Sequence, residues 1–276
     1  MPALREKMKQ QMQLIGLTES TQQRYIQSVV KLQEYYNKSP AKHSTDEIKN
    51  YLLHLKKKNL SANSYNVIIH ALRFFYCITL QRPLMKLELP TTKVTYKLPS
   101  ILSIDEVKNI IKSTGNIRDK LLLIILYGAG LRVSEAVKLR ITDIDSNRMT
   151  LHIRCSKNGK DRFAILSQVV LEHLRTYWKF CQFADYVFPG KGTSHITIAT
   201  AYSIYQRAKR LAGVKKPGGT HMLRRVFAVH SLESGTDLFI IKQLLGHASI
   251  HSTARYLSFS PCKDKNVKSP IDQLSI

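Results

Sequence analysis

The chain is poor in acidic residues, and this shortage narrows the choice of partners. Its 276 residues include 43 Lys and Arg against 19 Asp and Glu, a formal net charge of +24. The excess is spread along the chain, since residues 1–97 hold 16 basic and 6 acidic side chains and residues 98–276 hold 27 and 13. Such a field attracts polyanions. Nucleic acid is therefore the expected partner; an anionic membrane surface, or a charge that serves only solubility, is the alternative.

Cysteine is also sparse, and the four that occur stand far apart. Cys77, Cys155, Cys181 and Cys262 include no C-x-x-C pair, which argues against a zinc ribbon and against a disulfide framework. We expect unpaired thiols in a reducing compartment. No metal and no cofactor are predicted.

Long apolar runs are missing as well. The longest run, Leu121 to Leu126, is much shorter than the about 20 residues that a membrane-spanning helix needs. The N-terminal stretch MPALREKMKQQMQLIGL is charged and has no apolar core typical of a signal peptide. These absences predict a cytoplasmic protein without membrane contact.

Helical periodicity dominates residues 1–82. Apolar residues recur at helical spacing in four stretches, the first of which runs through Leu4, Met8, Met12 and Ile15. We therefore predict a small bundle of four helices. The later helices are predicted to start at Thr18, Thr45 and Ser61, with Thr18 and Thr45 as N-caps.

Residues 83–99 have a different composition. Pro83, Pro90 and Pro99 bracket a basic stretch that is poor in helix-forming residues. We predict an extended linker here, with an edge strand of the first domain as the alternative.

Residues 100–262 combine helical patterns with one β-hairpin. Met149 to Cys155 alternates apolar and polar residues, as a half-buried strand does. Asn158-Gly159 is a strong hairpin turn signal, and Arg162 opens the returning strand. The predicted fold class is therefore mainly α with a small β-sheet, divided into two domains.

The last third of the chain holds an unusual set of chemical groups. His221 and Arg224 are three residues apart in a helical stretch, so they share one face. His247 follows Gly246, a residue typical of a helix end, and Tyr256 comes shortly after. Taken singly, these groups have plainer interpretations as a basic surface helix, a capping histidine and a packed tyrosine. His247 and His251 lack the acidic or cysteine neighbours expected of a metal site.

Two basic residues upstream are candidates for the same functional site. Arg132 follows Gly128-Ala-Gly130-Leu131, where no third glycine completes a dinucleotide loop, so a turn into a helix near Ser134 is predicted. At a helix start Arg132 would lie where phosphate binding is favourable. Lys157 lies in the predicted hairpin tip, from which a lysine can reach a groove and donate a proton.

In their order along the chain, these groups resemble the tyrosine recombinase (phage integrase) family, with its Xer-like and integron- or transposon-type members. The likeness covers nearly the whole chain and is most specific from His221 to Tyr256. The N-terminal segment is similar to that family's SAM-like core-binding domain, and the rest to its mixed α/β catalytic domain. The residues that carry the likeness are Arg132, Lys157, His221, Arg224, His247 and Tyr256.

The resemblance implies a protein that clamps duplex DNA and needs neither ATP nor a metal. It implies that Tyr256 attacks a phosphodiester, forms a 3′-phosphotyrosine and releases a 5′-hydroxyl. Arg132 and Arg224 would hold the non-bridging oxygens and His247 would stabilise their charge. His221 would assist proton transfer, and Lys157 would protonate the leaving oxygen. Both arginines suit this task because a guanidinium matches phosphate oxygens.

The resemblance also implies four protomers on synapsed DNA, with the tail 263–276 docking on a neighbouring protomer. Two positions depart from the family's frequent residues, since Arg225 and Ser258 stand where histidine is common, and this bears on rate. The residues expected to face a major groove are Ser61, Asn63, Ser64 and Asn66.

Four functions stay open at this point. Integration or excision of a mobile element is the first, and Xer-like resolution of chromosome or plasmid dimers is the alternative. A relaxing enzyme similar to type IB topoisomerases shares the chemistry, although the short N-terminal bundle argues against it. The fourth hypothesis is not an enzyme: it is an architectural protein that binds DNA without catalysis.

Overall fold

The computed structural model describes residues 2–82, 89–93, 100–154, 161–182, 185–192 and 194–259. The chain divides into two compact units, Met1–Lys97 and Leu98–Ile276, and each has a hydrophobic core of its own. The finer domain bounds predicted from sequence stay a prediction. Most of the predicted linker 83–99, the hairpin tip with Lys157, the side chain of Ser258 and the tail 263–276 lie outside the described residues.

The first unit contains the four predicted helices. Met8 and Met12 of the first helix are buried, and they belong to a core that the other helices complete with Leu32, Ile48 and Ile69. The helices are α1 Pro2–Leu14, α2 Glu19–Tyr36, α3 Thr45–Lys57 and α4 Ala62–Arg73, with a 3-10 turn at Pro40–Lys42 and a π-helix at Phe74–Thr79.

Helix starts in this unit follow capping chemistry, with one prediction displaced by a residue. The N-cap of α3 is Ser44 and not Thr45, because the Ser44 hydroxyl accepts the Glu47 N–H at 3.2 Å while the Glu47 carboxylate accepts the Ser44 N–H at 2.8 Å. Ser61 caps α4 as predicted, by accepting the Ser64 N–H at 3.2 Å.

The start of α2 and the end of α1 correct two further details. Thr18 occupies the N-cap of α2, but its hydroxyl pairs with the Thr21 hydroxyl at 3.0 Å and makes no capping bond to the backbone. The prediction that Ile15 lies on the buried face of the first helix is wrong. That helix ends at Leu14, and Ile15 is 58% exposed.

The second unit surrounds one helix that is buried on every side. Leu121 to Leu126 are all buried within it, and neighbouring helices pack around it. The helices are α5 Ile104–Lys112, α6 Ile117–Gly128, α7 Val133–Ala136, α8 Gln168–Cys181, α9 Ile198–Leu211, α10 His221–Glu233, α11 Leu238–Leu245 and α12 Ile250–Ala254, with 3-10 turns at Ile141–Asp143 and Leu257–Phe259.

A small antiparallel sheet completes the unit. Its order is β1-β2-β3, from β1 Ile144–Asp145, β2 Thr150–Ile153 and β3 Arg162–Ile165. Ile153 lies opposite Arg162 at the end of the pair β2–β3 that leads to the predicted hairpin tip. The two predicted strands and the mainly helical fold class are confirmed, while the short strand β1 was not predicted.

Three properties of the described residues bear on the predictions made from composition. No helix among them is long and apolar enough to cross a membrane. No group of three or more His, Cys, Asp or Glu among those residues is arranged to hold a metal ion. Cys77 is half-buried and Cys181 is exposed, and both are free thiols. Cys155 and Cys262 lie outside the described residues.

Candidate active site

Five of the six predicted catalytic residues come together in the second unit. The charge of Arg132 is felt by His221, Arg224, His247 and Tyr256, because it contributes to the pKa shift of each. These groups come from widely separated elements: the start of α7, the first turn of α10, the end of α11 and the residues after α12. The sixth, Lys157, lies outside the described residues.

Arg224 is fully buried and links the turn at Gly130 to the end of α11 through hydrogen bonds. Its Nη1 donates to the Gly130 carbonyl at 2.8 Å, and its Nη2 donates to the Leu245 carbonyl. Gly130 has a φ of +60°, a backbone conformation that glycine adopts readily. Burial, followed by the charge of Arg132, lowers the pKa of Arg224 to about 10, so this side chain remains a cation at neutral pH.

Glu135 organises the arginines, and sequence reasoning missed it. Its side chain is 6% exposed, and its Oε1 accepts Nη1 of Arg132 at 2.6 Å. Its Oε2 accepts Nη2 of Arg162 at 2.7 Å and the backbone N–H of Arg132 at 2.8 Å, and lies 3.7 Å from Nη1 of Arg224. The available signal was an acid three residues after an arginine at a helix start.

The cluster carries more positive than negative charge. Three guanidiniums face the single carboxylate of Glu135, which leaves two positive charges in excess. Cations held together at a mostly buried site repel each other, and an entering anion relieves that repulsion. A phosphodiester attacked by a phenolate carries two negative charges at the transition state, so the excess matches this species.

Both histidines are neutral in this surrounding. Burial of the imidazole among its neighbours, then the charges of Arg224 and Arg225, lower the pKa of His221 to about 4, although the residue as a whole keeps solvent exposure. Burial, then Arg224 and Arg132, lower the pKa of His247 to about 4 as well. Neutral imidazoles at pH 7 can accept a proton or donate one N–H hydrogen bond.

His247 has a defined position. It follows Gly246, which ends α11 with a φ of +61° as the sequence predicts. Its Nδ1 lies 2.9 Å from the Thr253 hydroxyl, and its ring stacks on Tyr256 with centroids 6.1 Å apart. The turn and α12 therefore fix the imidazole beside the phenol.

Tyr256 is 8% exposed and sits at the edge of an apolar cluster with Ala228, Val229, Ile241 and Leu245. Burial raises the pKa of its phenol, whereas nearby arginines oppose that shift. The free protein therefore holds a protonated Tyr256 at neutral pH. An incoming phosphate and a proton acceptor are needed to make it a nucleophile.

A basic cavity extends the site on the sheet side. It has a volume of about 500 Å³ and is lined in part by Arg132, Lys138, Arg140 and Arg154. Arg140 lies over the Tyr186 ring, 5.0 Å from its centroid. The positive surface therefore continues past the arginine cluster, which is the arrangement that a polyanion requires.

The four predicted DNA-contact residues lie at the start of α4 in the first unit. Ser61, Asn63 and Ser64 are exposed, while the two serine hydroxyls lie 2.9 Å apart. Asn66 is engaged elsewhere, because its amide makes two 2.8 Å hydrogen bonds to the Thr92 backbone. Their contact with DNA stays a prediction.

Comparison with known proteins adds independent information. A family model described as the phage integrase family matches residues 100–261, and a second, the phage integrase N-terminal SAM-like domain, matches residues 4–86. The chain is 38% identical over 277 residues to the Sinorhizobium fredii protein y4qK, which is named an integrase/recombinase, covering 99% of this chain and 90% of that protein.

Two further similarities concern Xer proteins. Tyrosine recombinase XerA of Pyrococcus horikoshii is 35% identical over 230 residues, covering 82% of this chain and 79% of its own. A crystal structure of the XerH site-specific recombinase, bound to a palindromic difH substrate in a post-cleavage complex, superposes with a TM-score of 0.74. It covers 91% of this chain and 80% of that chain at 22% identity, which shows a common fold.

Proposed function

Because this chain belongs to the phage integrase family and is a tyrosine-type site-specific recombinase, we propose that it cuts and rejoins duplex DNA with Tyr256 as nucleophile. One observation carries the proposal. A buried tyrosine stacks on a neutral histidine within electrostatic reach of arginines that have two positive charges in excess. That arrangement suits a phosphodiester under attack and has no use in simple packing.

The proposed reaction conserves the phosphodiester bond energy. The Tyr256 oxygen forms a bond to phosphorus while the bond to the 5′ oxygen breaks, which gives a 3′-phosphotyrosine and a free 5′-hydroxyl. A partner strand's 5′-hydroxyl then attacks the phosphotyrosine and releases Tyr256. Each step exchanges one phosphate ester for another, so it needs no external energy source.

The other groups serve charge and proton transfer. Arg132 and Arg224 bind the non-bridging oxygens, whose charge grows in the transition state. Neutral His221 accepts the phenol proton, and Lys157 supplies a proton to the 5′ oxygen. Neutral His247 donates a hydrogen bond to a non-bridging oxygen. Removal of one such donor typically costs about 10²–10³ in rate.

The partners follow from the same chemistry. Double-stranded DNA is the proposed substrate, supported by the net charge of +24 and by the XerH relative that is seen with its DNA substrate. Exchange between two duplexes requires four strand cleavages, so we assign four protomers to the synapse and the tail 263–276 to contact between them. The proposed site of action is the cytoplasm.

Two biological roles have support. Integration or excision of a mobile element is the first, because y4qK carries an integrase/recombinase name and matches 99% of this chain. Dimer resolution is the second, because the XerA relative is 35% identical. A target site within a mobile element's ends would favour the first role, and a single site near the replication terminus would favour the second.

The test is covalent trapping on DNA chosen by the protein itself. Bound duplexes are selected from fragments of the source genome, synthesised with a nick beside each candidate scissile phosphate, and incubated with the parent protein and with Tyr256→Phe. We expect an SDS-resistant adduct in the parent and none in the variant, at nearly equal DNA affinity. Salt-sensitive binding without any adduct on the selected duplexes would support the architectural protein instead.

A further inference from the structure

Arg162 has a buried guanidinium that takes no part in the proposed reaction steps. Its side chain is 8% exposed, and its Nη2 donates to Glu135 at 2.7 Å. Its Nε and Nη1 are buried without a hydrogen-bond partner among the described residues. A buried polar group left unpaired destabilises a fold, and an apolar side chain of similar volume is often the more stable choice. The position of Arg162 therefore points to a purpose other than stability.

The first consequence of this position is a fixed orientation of Glu135. Arg132 binds one carboxylate oxygen through Nη1 at 2.6 Å, and Arg162 binds the other at 2.7 Å. The carboxylate therefore accepts hydrogen bonds on both oxygens, which opposes a rotation that would let it accept a second hydrogen bond from the Arg132 guanidinium. Among the described residues, Arg132 makes no further side-chain hydrogen bond, so its remaining N–H groups stay available to a phosphate.

The second consequence concerns the turn that carries His247. A Cβ at Gly246 would lie 2.6 Å from Nε of Arg162, so the arginine packs directly against the backbone of that turn. Strand β3 and helix α11 are in contact here. Arg162 therefore touches both the carboxylate that holds Arg132 and the turn that presents His247.

We propose that Arg162 is a positioning residue of the active site. It fixes Glu135 and the Gly246–His247 turn relative to each other, so that Arg132 and His247 contact the same phosphate. The inference rests on the proposed function of this site. Arg162 also begins the strand that returns from the hairpin predicted to hold Lys157.

The test compares two substitutions in the full chain, Arg162→Gln and Arg162→Lys, on the nicked duplexes selected above. DNA affinity and the rate of adduct formation at saturating DNA are measured separately. We expect the affinity to stay within about threefold of the parent, and the Gln variant to react about 10–100 times more slowly, which is the size of effect seen when a group that orients a metal ligand is lost. Lysine keeps the charge without the fork, so it restores part of the rate.

A matched control removes an arginine from another carboxylate pair. Arg118 donates to Asp119 at 3.1 and 3.0 Å at the start of α6, away from the cluster. Arg118→Gln is expected to leave both affinity and rate unchanged. Melting temperatures of all variants show whether each is folded, and if the Gln variant unfolds, the lysine variant carries the comparison.

A double-substitution cycle separates positioning from independent effects. If Arg162 acts through Glu135, adding Arg162→Gln to Glu135→Gln lowers the rate by less than about threefold beyond the single Glu135 variant. Rates that fall by the product of the two single effects would overturn the inference. Parental rates in both Arg162 variants would overturn it alone, whereas the absence of adduct in the parent would overturn the proposed function together with it.

Discussion

The central carboxylate gives the sharpest test of how this site is held together. Glu135→Gln keeps the size of the side chain and removes its charge, while Arg132, Arg162 and Arg224 keep theirs. Three cations would then share a mostly buried space without a counter-ion. The size of the side chain is kept, so no cavity confuses the result, but one accepting oxygen becomes an amide NH₂ that donates, so the arginines lose an acceptor together with the charge.

The magnitude follows from the two short contacts. Unit charges at 2.6 and 2.7 Å attract by about 6 kcal/mol each at an effective dielectric constant of about 20. Desolvation offsets most of this, and removing one partner of a buried ion pair costs about 3–5 kcal/mol in net free energy of unfolding. For a unit of this size, that loss corresponds to a fall in melting temperature of roughly 6–20 °C.

The assay is thermal unfolding followed by circular dichroism, with Asp185→Asn as the control. Asp185 pairs with Arg140 at 3.6 Å, and both side chains are about half exposed, so its loss is expected to cost about 0–1 kcal/mol. Inorganic phosphate should stabilise Glu135→Gln more than the parent, because it replaces the missing negative charge. A Glu135→Gln protein that melts within 2 °C (about 1 kcal/mol) of the parent would refute the claim that this carboxylate holds the arginines.

Four further outcomes are expected. In the DNA-free protein His221 and His247, each with a pKa of about 4, should show flat imidazole NMR shifts from about pH 5.5 to 8, and a midpoint near 6.5 would contradict this. Since unfolding restores the ordinary histidine pKa, unfolding takes up protons, and stability should fall as pH drops from about 6.5 to 4. Gly246→Ala adds left-handed strain of about 1–2 kcal/mol and a clash with Arg162, so adduct formation should slow at unchanged DNA affinity; a parental rate would argue against that contact. Finally, if 6–10 phosphates are contacted, DNA affinity measured by fluorescence anisotropy should fall about 10³–10⁵-fold between 50 and 200 mM salt, and a flat profile would remove the electrostatic basis of binding.

Local signals allowed much of the architecture to be predicted. Gly246 ends α11, Ser61 begins α4, and β3 begins at Arg162, because caps and strand alternation depend on neighbouring residues only. The misplaced N-cap of α3 has the same origin. Ser44 and Thr45 are both good N-caps, and the reciprocal bond with Glu47 favours the serine.

The parts that escaped prediction depend on distant contacts. Glu135 is a common acid in a short helix until Arg162 of β3 and Arg224 of α10 approach it. Strand β1 has two residues and exists only through its pairing with β2. No local pattern encodes such features, since the chain must fold before the partners meet.

The predicted catalytic set shows the same division. The order of Arg132, Arg224, His247 and Tyr256 along the chain was readable, and the fold brings these groups into one electrostatic neighbourhood. The neutral state of His221 and His247, and the carboxylate of Glu135 that the arginines share, could be inferred only from the three-dimensional structure. The chemical roles assigned to them remain the proposal that experiment must decide.

The decisive measurement is the identification of the residue that becomes covalently attached to DNA. The adduct formed on a nicked duplex is digested with nuclease and protease, and the peptides are analysed by mass spectrometry. We expect a nucleotide attached through its 3′ phosphate to the peptide that contains Tyr256, and no modified peptide from Tyr256→Phe. A nucleotide on any other residue, or an adduct that survives in Tyr256→Phe, would contradict it.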